Sequence, residues 1–425
     1  MDSKSLNKVK PTFTKYEVLV IAILAITQFT VVLDFMVLSP MGAQLMIELN
    51  INTSQFGAVV SAYAFSAGIA GILTAGFADK FDRKKLLMFF YIGFIFGTFL
   101  CSIAPDYNFL LMARIVTGLF GGVISSISFA IITDLFKMEV RGRVMGFVQM
   151  AFAVSQVMGI PVGLLLANHF GWHSPFLMIV GFATIVVIVI FFYIKPVTEH
   201  LKLKSDRNAF QHLLKILSTP NYIRGFMATV LLATGGFMLM PFGSAFSISN
   251  LGLTQNQLPI LYFVTGIFSM IFGPISGRLS DKIGKYKMFI IGSLICITMV
   301  SIYTHLSVTP LWEVILINVI LFIGISSRMI SASSLMTAVP EPQDRGAFMG
   351  INASIQQISG GIAAFAAGKI VIQTKNAPLQ HYDILGYVVC TSMLITICMM
   401  YIINKQVMGK NNSQIEKVEA TPAEA

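Results

Sequence analysis

The chain has 425 residues, of which 56% are hydrophobic and only 11% charged, with a formal net charge of +10 and a mean hydropathy of +0.79. A soluble domain carries about 25% charged residues, so this composition excludes a disordered chain, a coiled coil and a disulfide-stapled scaffold, and leaves an integral membrane protein. The excess of positive charge would suggest nucleic acid in a soluble protein; here its placement decides its meaning.

A membrane-spanning helix needs about 20 apolar residues. In chain order, twelve apolar runs meet that length, near 18–40, 54–78, 86–104, 108–134, 143–167, 175–194, 224–248, 257–279, 288–306, 311–338, 347–372 and 382–403. They lack the alternating polarity of barrel strands, so the predicted fold class is all-α integral membrane. The first run follows Lys4, Lys8, Lys10 and Lys15, as a signal peptide would. It is long, holds Asp34 and has no small-x-small cleavage site, so it reads as an uncleaved first span. Placing the N terminus in the cytoplasm puts 25 of the 29 Lys and Arg on cytoplasmic tails and loops. Lys369 and Lys375 fall outside, and Arg114 and Arg328 within spans. The positive-inside rule then predicts both termini in the cytoplasm. The charge is thus a topology signal: the expected partners are the lipid bilayer and a small molecule, with no nucleic acid. Cys101, Cys296, Cys390 and Cys398 show no metal-ligand spacing and read as small packing residues.

The longest polar interruption follows the sixth run. It divides the chain into a six-helix bundle over 1–194, a cytoplasmic linker over 195–223, a second bundle over 224–404 and a tail over 405–425. Phe210, Leu213, Leu214 and Leu217 give the linker an amphipathic stretch suited to the inner leaflet. The halves repeat. Ala75-Gly-Phe-Ala-Asp79-Lys-Phe-Asp-Arg83-Lys-Lys85 matches Gly277-Arg-Leu-Ser-Asp281-Lys-Ile-Gly-Lys285-Tyr-Lys287 at an offset of 202. Arg141-Gly-Arg-Val-Met-Gly146 matches Arg345-Gly-Ala-Phe-Met-Gly350 at an offset of 204.

Twelve spans as six plus six, with a basic Asp-containing motif after spans 2 and 8, resemble the major facilitator superfamily over essentially the whole chain. The family's loop pattern is Gly-x-Leu-Ala-Asp-Arg-x-Gly-Arg-Lys. The first copy departs from it at Ala75, Lys80 and Asp82, while the second keeps Gly277, Asp281 and Gly284. The resemblance implies two pseudo-symmetric bundles rocking about a central site near the membrane midplane. It also places Asp79 opposite the positive N-terminal end of span 11, which begins near Gly346, where a carboxylate gains from the helix dipole. Arg83, Asp134 and Arg141 would extend that network. Asp281 would face the start of span 5 near Gly142, with Lys285 and Arg345 as its repeat counterparts. The network then latches the cytoplasmic side shut; the alternative is that these cations only set topology.

Ionisable groups inside spans are costly and usually functional. Apart from Glu313 near a helix end, three remain: Asp34, Arg114 and Arg328. Asp34 lies roughly 25 Å and Arg114 roughly 30 Å from the inner surface at 1.5 Å per residue, so the two reach a similar depth and can pair. Arg114-Ile-Val-Thr-Gly118-Leu-Phe-Gly121-Gly122 resembles the span 4 pattern of proton-coupled members, and an acid in span 1 adds the resemblance to bacterial drug and sugar (arabinose-type) efflux proteins. Burial opposes ionisation of a carboxyl and a nearby guanidinium favours it. Exchanging buried and open states would therefore take up and release a proton. A static ion pair is the alternative. Gly159-Ile-Pro161-Val-Gly163 in span 5 resembles the family's antiporter signature with Ile160 inserted, and equally suits helix packing. Arg328 has no repeat partner and no acid at its depth. It would bind an anionic or zwitterionic substrate group, bond helix carbonyls, or reach Asp34. Tyr63, Gln149, Gln156, Asn352, Gln356 and Gln357 are polar candidates for the cavity wall.

The expected function is export of a small organic molecule by proton antiport, with the proton as coupling ion and no cofactor. A nutrient importer, by proton symport or facilitated diffusion, is the alternative within transport. A transporter-like sensor is the alternative in another class. No catalytic His cluster lies in the spans, so the chain is not expected to be an enzyme. Short loops and residue usage suggest a bacterial inner membrane; a functional monomer is expected.

Overall fold

The computed structural model describes residues 13–419 other than 76, 203–208, 342–343 and 375–376. At 75, 79, 138–139, 200, 202, 209–211 and 410–419 it describes the backbone. Lys4, Lys8, Lys10, Lys204, Arg207, Lys375 and the side chains of Asp79 and Phe210 thus lie outside the described residues. Among the described residues the regular structure is helical, save one bridge between Ile372 and Gln380.

Span 1 runs Lys15–Val37 and resumes as Gly42–Glu48. Spans 2 to 4 are Thr53–Ala75, Arg83–Ser102 and Tyr107–Leu135. Span 5 is Met138–Val154, then a wide π turn Ser155–Gly159, then Ile160–Phe170. Span 6 is Ser174–Tyr193. A short connecting helix, Ala209–Ser218, leads to span 7, which runs Pro220–Phe237 and resumes as Gly243–Ser249. Spans 8 to 12 are Leu258–Ile283, Lys285–Tyr303, Leu311–Met336, Arg345–Ile370 and Tyr382–Glu419. The last helix therefore runs through the segment expected to be a tail from 405.

Local chemistry sets these ends. Thr14 and Glu17 form a capping box on span 1; Asp82 and Asp106 cap spans 3 and 4 by accepting from Lys84 and Phe109 amides. Gly284, at φ 99°, makes the tight join between spans 8 and 9. Among the described residues, eleven helices are long and apolar enough to cross a membrane. The twelfth, span 11, falls short because Asn352, Ser354, Gln356, Gln357 and Ser359 dilute its apolar residues. It stays in the bundle because span 2 covers it rather than lipid.

Two departures from the predicted spans share a cause. Spans 1 and 7, expected as continuous helices over 18–40 and 224–248, break at Pro40 and Pro241. A proline inside a helix removes one hydrogen bond and clashes with the carbonyl four residues back. The Pro-x-Gly that follows, Pro40-Met41-Gly42 and Pro241-Phe242-Gly243, restarts each helix in a new direction. The connecting helix also differs from expectation. Ile216 is fully buried against Tyr222, Phe226 and Phe348, with Leu213 beside them, while Leu214 and Leu217 stay exposed. It docks on spans 7 and 11 with a face shifted from the predicted one.

The end carrying residue 13, the 195–219 connection and the last turns of span 12 is the basic end. The halves meet most closely at the other, far end, and spans 2 and 11 stay in contact as far down as Gly71 and Ser354. Gly57 and Gly368 bring spans 2 and 11 so close that a Cβ on Gly57 would lie 2.9 Å from the Ala364 carbonyl. Thr53 donates to the Val371 carbonyl at 2.6 Å, and Asn168 of span 5 to the Gln255 carbonyl at 3.0 Å. The two proline breaks touch: a Cβ on Gly42 would lie 3.1 Å from the Pro241 carbonyl, and Ser244 donates to the Ser39 carbonyl at 3.1 Å. At the basic end Gly142, Gly146, Gly346 and Gly350 face open space. The halves are therefore sealed at the far end, and the starts of spans 5 and 11 at the basic end are open.

Candidate functional site

Asp34 sits one turn before the first segment of span 1 ends at Val37, completely buried. Arg114, 1% exposed, meets it from span 4 with Nη1 2.8 Å from Oδ2. The hydroxyl of Thr98 in span 3 donates to Oδ1 at 3.3 Å. The opposite face of the guanidinium lies 4.6 Å from the Tyr63 ring of span 2, a cation–π contact in a dry site. Four spans of one half thus enclose one charge pair. The glycines of the span 4 pattern explain the approach: a Cβ on Gly118 or Gly122 would collide with Tyr63, Ser66 or Ala67. Gly159 and Gly163 do the same for span 5, whose backbone lies on Leu33 and Val37, flanking Asp34. Pro161 follows the π turn and sits in the first turn of the next helical segment, where a missing N–H is tolerated.

The pair connects to the interface between halves through aromatic rings. Phe35 lies 5.3 Å from Tyr63 and 5.7 Å from Phe237 of span 7. Phe237 in turn fills the space that Gly360 of span 11 leaves open. Sequence reasoning placed Tyr63 on the cavity wall; it is 2% exposed and packs on the ion pair. Thr98, Phe35 and Phe237 went unnamed, because nothing in an apolar run reveals which way one Thr or Phe faces.

Of the other polar candidates, Gln149 is exposed and Gln156, Gln356 and Gln357 are half-buried. The Gln156 backbone lies against Gly266 of span 8, where the π turn meets the other half. Asn352 accepts from Thr229 of span 7 at 2.6 Å. Gln28, buried in span 1, exchanges a hydrogen bond with Ser125 of span 4 at 2.8 Å.

The basic-end residues divide. Arg83 pairs with Asp134 at 3.2 Å and donates to the Ala78 carbonyl at 3.1 Å, tying spans 2, 3 and 4 together. Arg141 donates to the Phe136 carbonyl at 2.8 Å and stabilises the end of span 4. Both contacts lie within one half. Asp281, Lys285 and Arg345 are exposed and make no side-chain hydrogen bond or ion pair among the described residues. In this conformation the expected contact between Asp281 and the start of span 5 is not made, because the basic end is open.

Arg328 lies in the other half, 3% exposed. Its guanidinium stands 5.7 Å from the Phe289 ring and faces the backbone of Gly235. Its Nε and Nη2 are buried without a hydrogen-bond partner. Neither a helix carbonyl nor Asp34 satisfies it.

The description of the Major Facilitator Superfamily matches residues 24–364. The MFS-type transporter YceJ of Bacillus subtilis (strain 168) is 28% identical over 270 residues, 63% of this chain and 68% of that one. Multidrug resistance protein 3 of the same organism is 34% identical over 148 residues, covering 35% of this chain and 29% of that one. Among solved structures, a D-xylose-proton symporter superposes with a TM-score of 0.73 at 16% identity, covering 90% of this chain and 97% of that one. With a family match that spans most of its length and a fold shared with solved transporters, this chain belongs to the Major Facilitator Superfamily, as a multi-pass membrane protein that carries a small molecule.

Proposed function

We propose that this protein exports a small organic molecule across a bacterial inner membrane in exchange for protons, working as a monomer by alternating access. The observation that carries this reading is the buried pair of Asp34 and Arg114, 2.8 Å apart between spans 1 and 4. An ionisable pair in a dry membrane interior is costly to keep, and one that exchanges a proton returns that cost as coupling. Protonating Asp34 cancels its attraction for Arg114. The guanidinium then leans on Tyr63, and Tyr63 on Phe35, which touches Phe237 of the other half. The charge state of one carboxyl is thereby linked to the far-end seal. The distribution of Lys and Arg supports the basic end as cytoplasmic, and on this reading the open starts of spans 5 and 11 face inward. Closing that end would bring Asp79 and Asp281 toward the starts of spans 11 and 5, where four bare glycines leave room.

The test is transport in proteoliposomes under an imposed pH gradient, with Asp34→Asn and the conservative Asp34→Glu. The expected result is loss of gradient-driven exchange in the first and partial retention in the second, with both variants monodisperse. Unchanged gradient-driven exchange in Asp34→Asn overturns the reading. Accumulation of substrate on the side that protons enter would select import instead.

A further inference from the structure

The second buried cation has no counterpart to Asp34. The acids of the C-terminal half are Asp281, Glu313, Glu341, Asp344 and Asp383, and each lies near a helix end or in a loop. Arg328 lies mid-helix in span 10, enclosed by spans 7, 9 and 12 through Gly235, Phe289 and Met393. A guanidinium carries five donors and cannot be neutralised by losing a proton. Two of its nitrogens are buried and unpaired. A buried cation without an anion is not a stable end state, because the desolvation cost has no return.

The wall opposite shows where an anion would go. Gly235 presents no side chain, and a Cβ there would touch the guanidinium, 3.4 Å from Nη1, 3.8 Å from Nη2 and 3.7 Å from the Met393 methyl. Span 7 therefore sets a bare glycine against the guanidinium, 201 residues after the Asp34 that span 1 of the other half supplies to Arg114. Its neighbours include a phenyl ring, a thioether methyl and the buried Cys296 thiol. A strongly hydrated divalent anion would lose too much on entering such a place. A monovalent carboxylate with an apolar body would place its charge on Arg328 and its body against Phe289 and Met393.

We propose that Arg328, facing Gly235, forms a site for a monovalent anion, either free or as the carboxylate of the transported molecule. This rests on the chain being a transporter and names the chemical class its second half recognises. In this arrangement the N-terminal half handles the proton and the C-terminal half handles the anion.

The test uses the full-length protein purified in detergent, in a chloride-free Tris–sulfate buffer at pH 7, with the thermal unfolding midpoint as readout. The probes are benzoate, its neutral analogue benzyl alcohol, and chloride. Benzoate is expected to raise the midpoint saturably and benzyl alcohol to leave it unchanged. A saturable response to benzoate alone assigns the site to a substrate carboxylate, and a response to chloride alone assigns it to a free ion. Arg328→Gln is expected to lose the response. Gly235→Asp is expected to supply the missing carboxylate internally, raising the midpoint without added anion and abolishing the benzoate response, whereas Gly235→Asn does neither. A wild-type midpoint that moves with neither anion overturns the proposal. So does a wild-type-sized response in Arg328→Gln, or a Gly235→Asp variant that still responds to benzoate. Asp34→Asn is expected to keep the benzoate response, so failure of proton coupling and failure of the anion site read out separately.

Discussion

Asp34 and Arg114 hold each other in a place where neither is tolerated alone. Removing one partner of a buried pair leaves the other charge desolvated and unpaired, which costs about 3–5 kcal/mol. Arg114→Gln is therefore expected to lower the free energy of unfolding by about that amount. The double variant Asp34→Asn with Arg114→Gln should recover most of it, because two neutral amides of similar shape fill the same space. Denaturant titrations of the three proteins check this, and simple additivity of the two single effects would contradict a direct pair. The pairing was legible from helical rise alone, since the depths of both residues follow from their distance to the nearest helix end. The roles of Thr98 and Tyr63 were not, because they depend on how each span is rotated about its own axis. Arg328 was legible as a misfit for the same reason: one charge too many at that depth. That it faces Gly235 was not legible, because one missing side chain carries no signal in a glycine-rich chain.

At the scale of helices, contact between halves depends on small residues. Spans 2 and 11 approach at Gly57 and Gly368 until main chains touch. Gly57→Val would place methyl groups on the Ala364 carbonyl and cost the far-end-closed state about 1–3 kcal/mol. The equilibrium should shift toward the conformation with the basic end closed. A cysteine introduced at Gly346, which faces open space here, is then expected to react more slowly with a water-soluble maleimide. An unchanged rate would mean that spans 2 and 11 do not set the balance. The connecting helix offers a second case. His212 donates to Asp344 at 2.9 Å, and Tyr222 donates to the other carboxylate oxygen at 2.9 Å. The His212 hydrogen bond, aided by that from Tyr222, holds the Asp344 carboxyl below its ordinary value of 3.8. A depressed acid contributes stability that is complete above its unfolded value and lost as pH falls through the lower folded one. Docking of this helix should thus hold at neutral pH and fail only below about pH 4. His212→Ala should move that loss upward toward 3.8, as read from thermal unfolding against pH. None of this was visible in the sequence, since His212 and Asp344 are 132 residues apart in segments that read as loops.

For the molecule as a whole, the repeat that betrays two halves also marks the points at which they close. Offsets of 202 and 204 relate the basic-end motifs. An offset of 201 relates Pro40-Met41-Gly42 to Pro241-Phe242-Gly243, and it contains enough to place both helix breaks. What it does not contain is that the two breaks meet. A proline break frees backbone carbonyls that an intact helix would satisfy, and lipid offers them nothing in return. Here the Ser39 carbonyl accepts from the Gly42 amide at 3.0 Å and from the Ser244 hydroxyl of the other half at 3.1 Å. When the far end parts, the second of these bonds is lost, and only a water molecule can take its place. Wetting of that one carbonyl is then a step within the opening motion rather than its aftermath. The rate of switching should accordingly respond to osmotic stress, which lowers the activity of the water that must arrive.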